Sequence, residues 1–483
     1  MIVRRSIGVG IVLFWAVMNF LLIKRQSVVP PPLLTLRGSE KIIAASEEWW
    51  GIYYRGEKIG YASQSIVPKA KGYELHDYSR LNLNLLGTVQ PAETRLEMEA
   101  DEDWILQRFD FALRSKEIGF KARGAVTNNK LSLDIDSAGH RSSREITLTQ
   151  APYLLASLKP YVVTQQLETG KKFYFATFDP STLSQQVATI IIEGREQIRI
   201  GNRLEPAIKM RQSFAGISVL SWVDVHGRTL KEESAAGMSM TRQSQDEAKK
   251  LPSRSVPSDM IAQAAIPITT SIPDVKSLSA VQLKLGGVDL TNFALDGGRQ
   301  KLTGDRLMVI REDLTTLTPT AIPVREPRLQ TFLQPTAFMQ SDHPAIKSLA
   351  ARIVGSESKA LMASIKLKDW VYRELAKEPT ISIPNALEVL RVKKGDCNEH
   401  TVLFNALARA AGIPAKTVVG VVYLRGAFYY HAWSEIWLGR WVALDSVLNQ
   451  FPADVTHVKF IEGEIDRQVD ILQLIGNLKI EVL

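Results

Sequence analysis

Apolar positions change their rhythm along this chain. From Trp49 to about Gln245 they come in short runs, many alternating with polar residues, broken by turn residues; this period of two specifies strands. A turn over residues 55–58 separates the first two runs. Further strands are expected over 73–83, 94–99, 104–113, 119–126, 130–136, 188–193 and 218–224. Pieces this short and closely spaced suit a strongly curved antiparallel sheet or incomplete barrel, with a helix around residues 151–158 laid across it.

The C-terminal third switches to a helical period. Val402, Leu403, Phe404, Leu407, Ala410 and Ala411 fall at three- and four-residue spacing, which predicts a helix over 398–411 that Gly412 and Pro414 stop. Another helix is expected over 358–375. Strands then follow over 417–424, 428–438 and 441–447, so the order is helix and then antiparallel sheet.

At the other end, Ile7 to Ile23 carries no charge and is bounded by Arg4 and Arg5 before it and Lys24 and Arg25 after it. At about 1.5 Å per residue it would reach about 26 Å, near the lower limit for a membrane span. No small-residue cleavage site follows directly, which favours an uncleaved anchor over a signal peptide. Pro30-Pro31-Pro32 then stiffens a linker.

Composition adds bounds. The 483 residues exceed one ordinary domain, and 45% apolar with 23% charged residues is normal for a globular protein. A net charge of +8 fits anionic membrane surfaces or acidic envelope polymers, but the cations are scattered and no aromatic-rich basic motif points to nucleic acid. A Ser- and Pro-rich boundary at 247–274 and four prolines between 319 and 335 set off a small β unit. The expected division is a membrane anchor over 1–26, a linker over 27–46, a β-rich domain over 47–250, the β unit over 275–318, an α+β domain over 340–465 and a C-terminal tail over 466–483.

Candidate chemistry lies in the α+β domain. Cys397, the only cysteine, sits at the start of the predicted helix, where the dipole and unpaired amides favour thiolate. Taken alone it reads first as a small buried hydrophobe. His431 lies on the second strand and Asp445 on the third. Whether they share a face depends on the turn at Gly439-Arg440: a two-residue loop puts them on opposite faces. A three-residue loop, Leu438-Gly439-Arg440, pairs Trp437 with Trp441 and sets Asp445 diagonal to His431, about 7 Å or less between side-chain roots. An odd-length loop or a bulge is therefore expected. Were the faces to coincide, Cys397 would attack a carbonyl, His431 would carry its proton, Asp445 would hold the imidazole tautomer and the Cys397 amide would help bind the oxyanion. His400, three residues after Cys397, lacks the companions a metal site needs. Neither a metal nor a cofactor motif is found.

Four stretches carry a family resemblance: Gly395-Asp396-Cys397-Asn398-Glu399-His400, Ala408-Arg409-Ala410-Ala411-Gly412-Ile413-Pro414-Ala415, Tyr430-His431-Ala432-Trp433-Ser434-Glu435-Ile436-Trp437 and Trp441-Val442-Ala443-Leu444-Asp445. From about 345 to 463 the chain resembles the transglutaminase-like superfamily. The resemblance implies a papain-like fold, with the family's cysteine, histidine and aspartate on Cys397, His431 and Asp445. It further implies thiolate attack on an amide of a protein or peptide, leaving an acyl-enzyme for water or an amine. Trp370, the nearest counterpart of an oxyanion-binding tryptophan, sits in a helix and is assigned to packing. The strand rhythm of the N-terminal region, best at Trp50-Gly51-Ile52-Tyr53 and Gly56-Glu57-Lys58-Ile59-Gly60-Tyr61, loosely resembles exported envelope half-barrel proteins.

The fold class expected is thus multidomain α+β: an N-terminal membrane helix, a β-rich curved sheet or half-barrel, a small β unit and a C-terminal papain-like domain. The placement expected is a single-pass bacterial inner-membrane protein with its remaining part in the periplasm. Three functions compete: a thiol amidase, a transglutaminase and a non-catalytic envelope module that binds a peptide.

Overall fold

The computed structural model describes residues 45–483, apart from 117, 138, 215–216 and 253–257. Fourteen strands from Ser46–Tyr54 to Met238–Gln243 form one antiparallel sheet. Strands adjacent in sequence pair, except that the eighth and ninth lie at opposite edges, and the first pairs with the last at a central seam, Trp50 opposite Arg242. The hairpins follow their turn residues: Arg55 and Gly56 both take positive φ (49° and 85°), the geometry of a two-residue turn that matches strand twist.

The sheet curls around its own core. Its outer edges are His140–Thr147 and Lys172–Asp179, consecutive in the chain, and Tyr153 bridges to both Ile105 and Thr177 between them. The helix Leu155–Val163, four residues later than the period suggested, follows this bridge and buries Leu158 and Val162. Those side chains join Phe109, Phe120, Phe175 and Met210, from both halves of the sheet, in one core. Tyr73 stacks on Trp104 with centroids 3.7 Å apart.

Four helices then pack on a second sheet. Pro344–Val354, Ala360–Glu374, Ala386–Val392 and Cys397–Ala410 form the helical layer. The sheet contains Val458–Glu462, Ala415–Leu424, Ala427–Trp437 and Trp441–Leu444, with Ile266–Pro267 pairing on Ala427–Trp437 as well. Between the helices and this sheet lies a core of Ile346, Leu367, Phe404, Leu407, Ile436 and Val442.

The small sheet is not an independent island. It comprises Gln300–Thr303, Arg306–Ile310, Ala280–Gly286 and Lys479–Val482, so the last strand of the chain comes from the segment expected to be a tail. Its Leu283, Leu307 and Ile480 share one core with Val421, Phe428 and Phe460 of the helix-bearing domain.

Two expectations are corrected. The α+β assignment gives way to a mostly β structure, 47% strand and 19% helix among the described residues, because the fourteen-stranded sheet outweighs the helical layer. The membrane helix over Ile7 to Ile23 falls outside the described residues, and among those described no helix is long and apolar enough to cross a membrane. The four helices of the second domain have at most 15 residues, about 22 Å against a core of about 30 Å. The single-pass inner-membrane placement, with a periplasmic remainder, therefore finds no support.

Candidate active site

The cysteine helix starts where its sequence says it should. Asp396 is the N-cap: its carboxylate accepts from the Asn398 amide at 3.0 Å, while the Glu399 carboxylate accepts from the Asp396 amide at 2.9 Å. This capping box fixes Cys397 in the first turn. The helix stops at Gly412, where φ is +79° and a Cβ would meet Pro323 at 2.5 Å, so both conformation and space require glycine.

The turn after the histidine strand has three residues. Trp437 lies opposite Trp441 and Ser434 opposite Leu444, with the Leu438 amide donating to the Arg440 carbonyl at 2.8 Å. The two-residue register, which would separate His431 from Asp445, is not adopted. His431 Nε2 instead lies 2.6 Å from Asp445 Oδ2, both side chains buried. Asp445 is held by its own loop as well, Oδ1 accepting from the amides of Val447 (2.7 Å) and Leu448 (2.8 Å).

A second histidine, not singled out in the sequence, completes this cluster. His457 is fully buried; its Nε2 lies 3.0 Å from Asp445 Oδ2 and its Nδ1 3.2 Å from Asp454 Oδ1. Asp454 Oδ1 also accepts from the Thr456 amide (2.9 Å) and hydroxyl (2.6 Å), and Oδ2 from Gln450 Nε2 at 2.8 Å. Trp433 stacks near His431, centroids 6.2 Å apart, and meets His457 edge-on at 5.2 Å. The result is a buried row, Asp454, His457, Asp445, His431.

Burial and pairing oppose one another along this row. Burial pushes the Asp445 and Asp454 carboxyls up, but His431 and His457 at Asp445, and His457 at Asp454, override it and hold both well below the usual carboxylate range. Burial pushes His457 down, and hydrogen bonds from the two carboxylates more than reverse this, so its ring titrates above an ordinary histidine. The same three residues, His431, Asp445 and His457, are the described set whose spacing could hold a metal ion. Their 2.6 and 3.0 Å contacts share one oxygen and are hydrogen-bond lengths, and the other Asp445 oxygen is occupied by two amides. A hydrogen-bonded row accounts for the geometry without an ion.

The thiol departs from the sequence reading. Burial, followed by the carboxylates of Asp396, Glu399 and Asp445, pushes Cys397 well above its ordinary value, outweighing the Ala432 amide that donates towards the sulphur. The helix start favours thiolate, yet three carboxylates and desolvation prevail. His400, by contrast, is a core residue: its Nδ1 lies 2.7 Å from the Asp396 carbonyl, and burial lowers its pKa. Trp370 packs on the helical core.

Cys397 and His431 open onto one cavity of about 1420 Å³, whose lining also includes Ile217, Val219 and Met238 of the large sheet. The cavity therefore lies where the fourteen-stranded sheet faces the helix-bearing domain.

Part of the chain is similar to known proteins. Residues 347–446 match the transglutaminase-like superfamily. The matched span contains Cys397, His431 and Asp445 and ends before His457. An uncharacterized protein of Haemophilus influenzae is 26% identical over 208 residues, covering 36% of this chain and 54% of the relative. A mouse kyphoscoliosis peptidase is 32% identical over 98 residues, 18% of this chain and 14% of that protein. The chain thus spans about half the length of the first relative and a small part of the second. A solved structure of a β-barrel-like protein of a domain of unknown function from Brucella abortus also matches, at 8% identity and a TM-score of 0.33, covering 41% of this chain and 95% of that one.

Proposed function

We propose that the chain is a thiol-dependent amidase or acyl transferase acting on protein or peptide amides, with Cys397 as nucleophile, His431 as proton carrier and Asp445 as the group that orients it. The observation that carries this reading is the 2.6 Å contact between His431 Nε2 and Asp445 Oδ2, on the cavity that Cys397 also lines. With Nε2 on the carboxylate, Nδ1 is the nitrogen left to exchange a proton with the thiol. Because burial and carboxylates hold the thiol neutral at rest, the proton moves to His431 as the sulphur attacks. The C–S bond forms, the C–N bond breaks, and His431 returns the proton to the leaving amine. Water or a second amine then attacks the thioester, passing its own proton through His431. The Cys397 amide, in the first helical turn, and the Ala432 amide are the donors for the oxyanion.

The raised thiol pKa also favours a second reading, a peptide-binding module in which the cysteine is inert. A thiol-directed amide probe separates the two, since this chain has one cysteine and any thiol adduct is an adduct of Cys397. Catalysis predicts stoichiometric labelling near neutral pH that His431→Ala slows at least about tenfold. A wild-type chain that resists the probe, or a His431→Ala chain labelled at the same rate, favours the binding module. Comparing amine incorporation with hydrolysis in a single reaction then distinguishes transferase from amidase.

A further inference from the structure

We propose that the acyl group accepted at Cys397 is a long hydrocarbon chain, so that the substrate is an N-acylated peptide whose chain lies against the large sheet; this rests on the nucleophilic role of Cys397. The cavity above the thiol is walled largely by apolar side chains. Leu86 and Ile217 remain 59% and 39% exposed there, with Val219, Met238 and Met260 beside them. Exposed aliphatic residues gathered in one concavity mark a ligand surface rather than a core.

Hydrogen bonding decides what kind of ligand. Val219 is paired on both sides, opposite Gln212 and Ser234; Met238 lies opposite Tyr54 and its amide and carbonyl also meet the Ser234 hydroxyl; Ile217, at the strand end, lies opposite Phe214 alone. Their backbone groups are largely committed to the sheet, so this wall offers a ligand little beyond side chains. A peptide lying there would bring amide and carbonyl groups that lose water without gaining partners, whereas hydrocarbon brings none. The single polar need, at the scissile amide, is met at the other wall by the Cys397 helix start and the Ala432 amide. Ile217 and Val219 also border a second cavity of about 840 Å³.

The reaction balances with water alone. Thiol addition to the acyl carbonyl releases the peptide amine, which takes its proton from His431; water then cleaves the thioester to give a fatty acid and the free thiol.

The test uses the full chain with aryl esters of two-, eight- and twelve-carbon acids, following the acyl mass on Cys397 and dividing each rate by that of a free thiol. The twelve-carbon ester should acylate at least about 100-fold faster than the two-carbon ester, since each buried methylene adds severalfold. Val219→Ser with Met238→Ser should lower the twelve-carbon rate far more than the two-carbon rate and so remove most of that preference. Equal rates along the series, or equal loss for all esters in the variant, would overturn the hydrocarbon assignment while leaving the thiol chemistry standing. No acylation by any ester would instead remove the reading beneath it. Binding provides a second readout: Cys397→Ala should bind N-dodecanoylglycine at least about tenfold more tightly than an apolar acetylated hexapeptide. The reverse order would assign the wall to peptide side chains.

Discussion

Asp445 serves two imidazoles through one oxygen. The arrangement orients the ring of His431 and also places a second histidine, His457, between two carboxylates. Its consequence for stability follows from the directions of the shifts. Asp445 and Asp454, depressed in the fold, stabilise it above the unfolded carboxylate pKa of about 4, and that contribution is lost as pH falls through their folded values. His457, raised in the fold, stabilises it fully below the unfolded histidine pKa of about 6.5, and its contribution is lost as pH rises through the folded value. The row therefore stabilises most between about pH 4 and 6.5. His457→Gln should cost about 3 kcal/mol inside that window and less at higher pH, measured by urea denaturation across the range; a pH-independent loss would deny the charged state of His457. Turnover should fall with it, because Asp445 is then shared differently. Cys397 titrates in the opposite region: with its pKa raised, alkylation by a neutral reagent should keep climbing above pH 9 instead of reaching a plateau near 7.

At the scale of elements, the position of His457 depends on a glycine. Gly420 lies opposite His431 in one neighbouring strand and Lys459 in the other, and a Cβ there would sit 1.9 Å from the Val458 carbonyl oxygen. Gly420→Ala should push the Val458–Glu462 strand away, cost about 1–3 kcal/mol and reduce turnover through His457, readable as a lower denaturation midpoint with the fold retained by circular dichroism. The same elements show what the sequence made legible. Helix Cys397–Ala410 and the two following strands were readable because cap, period and turn residues act within a few positions. Even the three-residue turn could be posed as a condition, since a period of two converts loop length into facing. His457 escaped because it arrives by a strand ladder with an irregular register at Val419/Gly420, and no local spacing marks that event. The Asp454–His457 pair, three residues apart, was the one local signal. The resting charge of Cys397 escaped for a related reason: the helix start was visible, but the desolvation and the Asp445 carboxylate above it are tertiary.

At the scale of the molecule, the expected division into separate pieces gives way to shared cores. Phe338 and Ile383 of the helix-bearing region join the core of the large sheet, and the small sheet shares its interior with Val421 and Phe428. Deleting residues 479–483 removes the strand that pairs with Ala280–Gly286 and should lower the thermal midpoint of the domain that carries Cys397, with faster alkylation of the thiol on warming; an unchanged midpoint would show that the small sheet is expendable. The fourteen-stranded sheet has a kinetic counterpart to this. Its hairpins close short loops and can form independently, two stacks growing outward from either side of the seam. The seam alone brings together partners as distant as Glu48 and Arg242, 194 residues apart. The largest chain-closure entropy of the sheet is thus concentrated at this one pairing, while Ile217, Val219 and Met238 lie in strands that hairpins on one side of it already join. The seam is the one place in the sheet where a local hairpin cannot supply the next strand.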